Sequence, residues 1–259
     1  MGINGTAKLN CIENLAAEPP SYAPPIISIY DPTNSISTII SNMMFLNSGS
    51  GAIQVNGSLS FQIENSSFQN NSINLFSNFT SGQGGGGGAI SIINVRNNTF
   101  LNSNFSNNYA KGGVGQGGAI FISYSSSNNN GDISFNSNSF INCNFFNNYV
   151  NGAGGAIFIG YSSSDGNDFS SNSNSFINCS FFNNYVKGGG QGGGGAICIE
   201  YSSSNNNGDI SSNSNSFTNS NFFNNYVNGA EGGAIFIGYS SSDGNEIKIA
   251  PPCPTPPFA

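Results

Sequence analysis

Histidine and tryptophan are absent, and only 7% of the 259 residues are charged. About a quarter is usual in a globular domain, so the chain is not an ordinary helical enzyme domain. Lys8, Arg96, Lys111, Lys187 and Lys248 are its five basic residues, against twelve acidic ones, which gives a formal net charge of −7. Without a positive stripe to neutralise phosphates, nucleic acid is not an expected partner. No apolar run approaches the roughly 18 to 20 residues of a membrane span, so no transmembrane segment is expected. The N-terminus also lacks the basic and apolar regions of a signal peptide.

What fills the chain instead is 46 Asn, 43 Ser and 35 Gly. Such tracts often stay disordered because they bury too little apolar area to offset the entropy of ordering. Here 22 Phe and 28 Ile supply a core if they are regularly placed, and both types favour strands.

They are regularly placed. Gly-Ala-Ile begins at Gly51, Gly88, Gly118, Gly155, Gly195 and Gly233. Phe-x-x-Asn begins at Phe68, Phe105, Phe145, Phe181 and Phe222, with a degenerate copy at Phe45, and the two motifs alternate strictly. The interval from Gly-Ala-Ile to the next motif Phe is 17, 17, 27, 26 and 27 residues. The longer form carries a serine-rich insertion, at Ser125 to Ser134, Ser162 to Ser171 and Ser202 to Ser211. An Asn stands three residues before each motif Phe: Asn42, Asn65, Asn102, Asn142, Asn178 and Asn219. Constant short strands with variable loops are the signature of a solenoid.

The expected fold is therefore all-β: a right-handed single-stranded parallel β-helix of about six coils, stacked at roughly 4.8 Å. Ile53, Ile90, Ile120, Ile157, Ile197 and Ile235 form one internal column, and Val55, Ile92, Ile122, Ile159, Ile199 and Ile237 another. Asn occupies the corners, where it tolerates left-handed backbone, and stacks along the axis. Residues 1–37 form an N-terminal cap with a short helix between Ala7 and Ala17, 38–249 the repeat domain, and 250–259 a Pro-rich tail.

The alternating Gly-Gly-Ala-Ile and Phe-x-x-Asn tetrapeptides over about Asn42 to Gly238 resemble the repeats of chlamydial polymorphic outer membrane proteins, of the pectin lyase-like β-helix class. That resemblance implies a β-helical, adhesive module at the cell surface or outside the cell. In contrast to those proteins, neither a secretion signal nor a C-terminal membrane barrel is expected within this chain.

Repeated coils multiply one surface, whereas active sites are singular, so no catalytic residue and no cofactor-binding residue is assigned. The expectation is a structural or adhesive, non-enzymatic protein that binds glycan or a surface protein along the solenoid face. A self-associating fibre subunit and a polysaccharide lyase or hydrolase are the alternatives. Asp165 and Asp168 are the carboxylate pair such an enzyme would use. They are also a weak Ca²⁺ candidate, the one cation expected if any is bound. Two tyrosine series could supply a glycan face: Tyr124, Tyr161, Tyr201 and Tyr239, and Tyr109, Tyr149, Tyr185 and Tyr226. Gln54, Ser91, Phe121, Phe158, Cys198 and Phe236 form an outward stripe that the serine loops are expected to cover. Cys143 and Cys179 occupy equivalent positions in successive coils, either as a disulfide or as two thiols. Asn65 and Asn178, which begin glycosylation sequons, are expected to be buried in the corner ladder.

Overall fold

A computed structural model describes residues 6–10, 14–16, 25–31, 33–74, 86–111, 116–126, 136–163, 171–187, 193–203, 213–228, 233–241 and 247–249. Among them there is no helix, and so none long and apolar enough to cross a membrane. Every strand pairing is parallel except that of Ile247–Ile249 with Ile235–Ser241. The chain winds as a parallel β-helix whose four walls repeat in the same order in each coil.

The first wall holds the Gly-Ala-Ile strands. Ile53, Ile90, Ile120, Ile157, Ile197 and Ile235 stand in register, as do Val55 and Ile92 through Ile237. The second wall stacks Ile40, Ile63, Phe100, Phe140, Phe176 and Phe217. The third stacks Phe45, Phe68, Phe105, Phe145, Phe181 and Phe222. Rings of the third wall lie 4.8 to 4.9 Å apart and nearly coplanar. They meet those of the second edge to face at 6.0 to 6.2 Å. Each such contact adds about 0.5–1.5 kcal/mol to the burial of the rings. The fourth wall is short and carries Ile73, Ala110, Val150, Val186 and Val227 inward. The third wall has seven strands and the fourth five, either side of the six coils expected.

The early coils cross from first to second wall in one strand, Ile53–Glu64 or Ile90–Leu101. Later coils break there into pairs such as Ile120–Ser126 and Ser137–Ile141, and the serine-rich insertion lies between the two. Residues 127–135, 164–170 and 204–212 of the insertions, like the tail at 250–259, lie outside the described residues.

The expected helix over Ala7–Ala17 is not formed. Thr6–Asn10 and Asn14–Ala16 are strands in parallel register with Ser37–Ser41 and Met44–Leu46. An open rung offers a full row of backbone partners, whereas so short a helix is marginal by itself. Ile27–Tyr30 likewise extends the first wall, beside Ile53.

Asparagine performs two separate tasks at the corners. Asn102, Asn142 and Asn178 turn the chain between second and third walls at φ 50 to 53°, and Asn107, Asn147 and Asn183 between third and fourth at φ 52 to 54°. Left-handed backbone costs other L-residues about 1–2 kcal/mol. The next residue in the second corner, Asn108, Asn148 or Asn184, turns inward and is fully buried. Asn148 donates through Nδ2 to the Phe105 carbonyl and to Asn184 Oδ1, both at 3.0 Å. Its own Oδ1 accepts from the Asn108 backbone N–H and Nδ2, also at 3.0 Å. Glycine before Ala-Ile is needed because coils approach closely there: a Cβ on Gly155 would lie 1.9 Å from the Gly195 carbonyl oxygen.

The two asparagine tasks separate experimentally. Asn147→Ala is expected to lower stability by about 1 kcal/mol and Asn147→Gly to restore it. Asn148→Ala leaves buried backbone groups unpaired and is expected to cost about 2–3 kcal/mol with no rescue by glycine. Urea unfolding of the variants measures all three.

Candidate functional site: an aromatic and lysine corner

The structure moves several candidate residues to places the sequence did not assign. Tyr124, Tyr161 and Tyr201 are 2%, 1% and 1% exposed, and Tyr239 is half-buried. As a binding ladder this column is ruled out, because its rings point into the core. They stack at 4.7 to 4.9 Å, and Tyr124 and Tyr161 carry their hydroxyls into a buried column of Asn98, Asn138 and Asn174. Tyr124 Oη donates to Asn138 Oδ1 at 2.8 Å and accepts from Asn98 Nδ2 at 2.9 Å. Asn138 Nδ2 donates to Asn174 Oδ1, and Asn174 Nδ2 to Asn215 Oδ1, at 2.8 Å each. In register with Asn98, the preceding uninserted coil has Phe61. Asparagine enters the core at Asn98, in the last uninterrupted strand, and tyrosine at Tyr124 of the next coil, the first whose wall is interrupted by an insertion. Most of the buried polar groups there are paired, which lets the core hold them, although Asn98 Oδ1 at the start of the column has no hydrogen-bond partner.

The stripe of Phe121, Phe158, Cys198 and Phe236 is buried too, packed with Ala153. Phe158 lies over Gly160 and Phe236 over Gly238, where a Cβ would meet the ring at 2.7 and 2.6 Å. Between them Glu200 faces the two glycines in register. The Cys198 thiol donates to Glu200 Oε1 at 3.4 Å, and burial pushes both groups up from their ordinary pKa values. Cys143 and Cys179 are free thiols, both fully buried. The hydrogen bond with the Cys179 thiol, and after it burial, raises the Cys143 pKa.

Asp165 and Asp168 lie outside the described residues. Among those described, no three His, Cys, Asp or Glu side chains come together as a metal site. Asp31, Glu64 and Glu200 are the described carboxylates. Asp31 closes a turn by accepting from Thr33, Ser35 and Ile36, which lowers its pKa. Glu64 is on the second wall beside Leu101, several rungs from Glu200 on the first. No pair among these three spans a shared cleft. Asn65 and Asn178 are exposed, contrary to expectation, because a left-handed corner turns its side chain outward. They belong to an outer ladder in which Asn102 Nδ2 donates to Asn65 Oδ1 at 3.2 Å and Asn142 Nδ2 to Asn102 Oδ1 at 3.0 Å.

The surface that remains is the corner between third and fourth walls. Phe145 points inward, so alternation turns Phe146, Phe182 and Phe223 outward, where the first two stack at 5.6 Å. After the Asn corner, Tyr109, Tyr149, Tyr185 and Tyr226 stack outward at 4.4 to 5.3 Å. Two residues further on, Lys111 and Lys187 are exposed. A shallow groove of about 550 Å³ runs here between Asn147, Asn183, the tyrosines and Lys187. Partial burial beside Tyr149 raises the Tyr109 pKa. Chemically the corner offers aromatic edges, hydroxyls, amides and ammonium groups. The sequence showed the second tyrosine series but not this surface; the Phe-Phe doublets and the lysines at fixed offset from tyrosine are the signals that reveal it.

Comparison with protein-family models, with curated proteins and with solved structures returns no match for the chain.

The buried tyrosines set a pH dependence. Burial raises the pKa of Tyr124, Tyr161 and Tyr201 in the folded chain above the usual value near 10. Above that pH the unfolded chain loses its phenolic protons first, so this stability is complete below pH about 10 and is lost as pH rises beyond it. Urea midpoints are expected to fall above pH about 10, and Tyr161→Phe to make the fall shallower. At pH 7 the same variant is expected to lose about 1 kcal/mol.

Proposed function

We propose that the chain is a non-enzymatic β-helical module of the cell surface or extracellular space, which binds glycan or protein partners along the corner of the third and fourth walls. The observation that carries this reading is the outward tyrosine column, repeated on four successive rungs beside the groove at Asn147, Asn183 and Lys187. Rigid aromatic side chains that present hydroxyls bind at little entropic cost. A repeated rung lets an extended ligand make the same weak contact several times. The resemblance to polymorphic outer membrane protein repeats supports an adhesive role and a surface location. The reading requires neither Ca²⁺ nor any other cofactor.

A glycan array combined with an assay for release of reducing or unsaturated sugar tests this. Binding without release is expected, and replacing Tyr149 and Tyr185 together by Ser is expected to weaken it about tenfold. Tyr161→Phe, inside the core, is expected to leave binding unchanged. Sugar release would overturn the reading.

One observation favours self-association as a second reading. Among the described residues no strand pairs with the outer edges of Ser214–Thr218, Asn221–Phe223 or Tyr226–Val227. Phe223 and Tyr226 are 53% and 55% exposed there. Open strand edges pair readily with other chains. Light scattering that rises with protein concentration would support this reading, and a monomer at all concentrations would exclude it.

A further inference from the structure

The outer column beside the tyrosines has a period of its own. Alternation along Tyr109, Ala110 and Lys111 sends tyrosine and lysine outward and alanine into the core. The rungs of the fourth wall are aligned at Tyr109, Tyr149, Tyr185 and Tyr226, so the residue two further on runs Lys111, Asn151, Lys187, Asn228. Backbone bonds hold the register at that position: Asn151 N–H donates to the Ala110 carbonyl at 3.3 Å, Lys187 to Val150 at 3.0 Å and Asn228 to Val186 at 2.9 Å. The preceding rung places Asn74 opposite Lys111. Lysine and asparagine therefore alternate, and the ammonium groups recur every second rung, roughly 9–10 Å along the axis.

The chain holds five basic residues and a net charge of −7, yet two of the five stand in this one column. Neither the third nor the fourth wall carries a carboxylate among its described residues. Both lysines are exposed and have no described acidic neighbour on these walls. Between them Asn151 is oriented by Tyr149, whose hydroxyl donates to Asn151 Oδ1 at 2.9 Å. Among the described residues of these two walls the only charges are thus positive, with hydrogen-bonding amides on the intervening rungs.

We propose that this corner binds an acidic polysaccharide that carries one anionic group on every second sugar, running parallel to the solenoid axis. The proposal rests on the glycan-binding reading above and narrows it. In an extended β-linked chain one sugar covers about the length of one rung, so a uronate alternating with a neutral amino sugar places a carboxylate at each lysine. The neutral sugar then meets Asn and the tyrosine hydroxyls. A chain with a carboxylate on every sugar sets half its charges against Asn. A neutral chain covers the lysines without pairing them, which opposes binding.

The probes are hyaluronan oligosaccharides, polygalacturonate and dextran, titrated calorimetrically at low and at physiological salt against the whole chain. Hyaluronan is expected to bind tightest, and to weaken as salt screens the exposed lysines. Lys187→Gln and Lys111→Gln are each expected to weaken it by roughly two- to fivefold, with the fold unchanged by circular dichroism. The double Lys→Glu variant is expected to abolish hyaluronan binding while leaving any weak dextran binding in place. If dextran and hyaluronan bind alike and the lysine variants change nothing, the charge-matched proposal falls while the glycan-binding reading stands. The proposal also falls if polygalacturonate binds more tightly than hyaluronan. If none of the polysaccharides binds, the acidic-polysaccharide proposal falls, and the broader binding reading falls with it only if the glycan array is silent too.

Discussion

Every feature of this molecule follows from one constraint: each coil must lie in parallel register on the coil before it, at the spacing of a backbone hydrogen bond. That spacing leaves no freedom along the axis, so a residue type repeated in sequence becomes a column in space. Phenylalanine rings 4.8 to 4.9 Å apart are both coplanar and in contact because the backbone holds them there. The same constraint makes glycine necessary ahead of each Ala-Ile, where a neighbouring carbonyl fills the space of a side chain. It also makes asparagine useful at corners, since one amide can bond to the coil on either side.

Columns divide cleanly into those facing in and those facing out. Inward columns are apolar, or polar where neighbouring rungs bond to one another, as along Asn98, Asn138 and Asn174 with Tyr124 and Tyr161. Such columns fix register, because shifting a coil by one residue would turn its inward residues outward and shifting it by two would face Phe140 with Asn174. Outward columns carry no such duty and are free to serve recognition. The tyrosine and lysine columns of the fourth wall combine aromatic surface, hydroxyls and positive charge on consecutive outward positions.

Much of the fold was legible because the repeat is strict. The two isoleucine columns, the phenylalanine walls and the corner asparagines all stand where the spacing of the motifs puts them. Tyr124 illustrates information present but unused: Ile120 and Ile122 point inward, so alternation already places Tyr124 inside. Tyr149 is different, since the left-handed Asn147 between it and Phe145 interrupts the alternation, and only the structure shows which way it faces. Asn65 and Asn178 misled for a related reason, as left-handed backbone reverses the direction in which a corner residue points. The N-terminal segment was misread because its strands are set by the open rung they join rather than by their own residues.

The account turns on the claim that the outside of the fourth wall, and no other surface, receives a ligand. Hydrogen–deuterium exchange of the chain with and without bound hyaluronan oligosaccharide addresses it directly. New protection confined to 106–111, 146–151, 182–187 and 223–228 is the predicted result. Protection centred instead on the strands Ser137–Ile141 and Ser173–Ile177, or on the first wall, would contradict it.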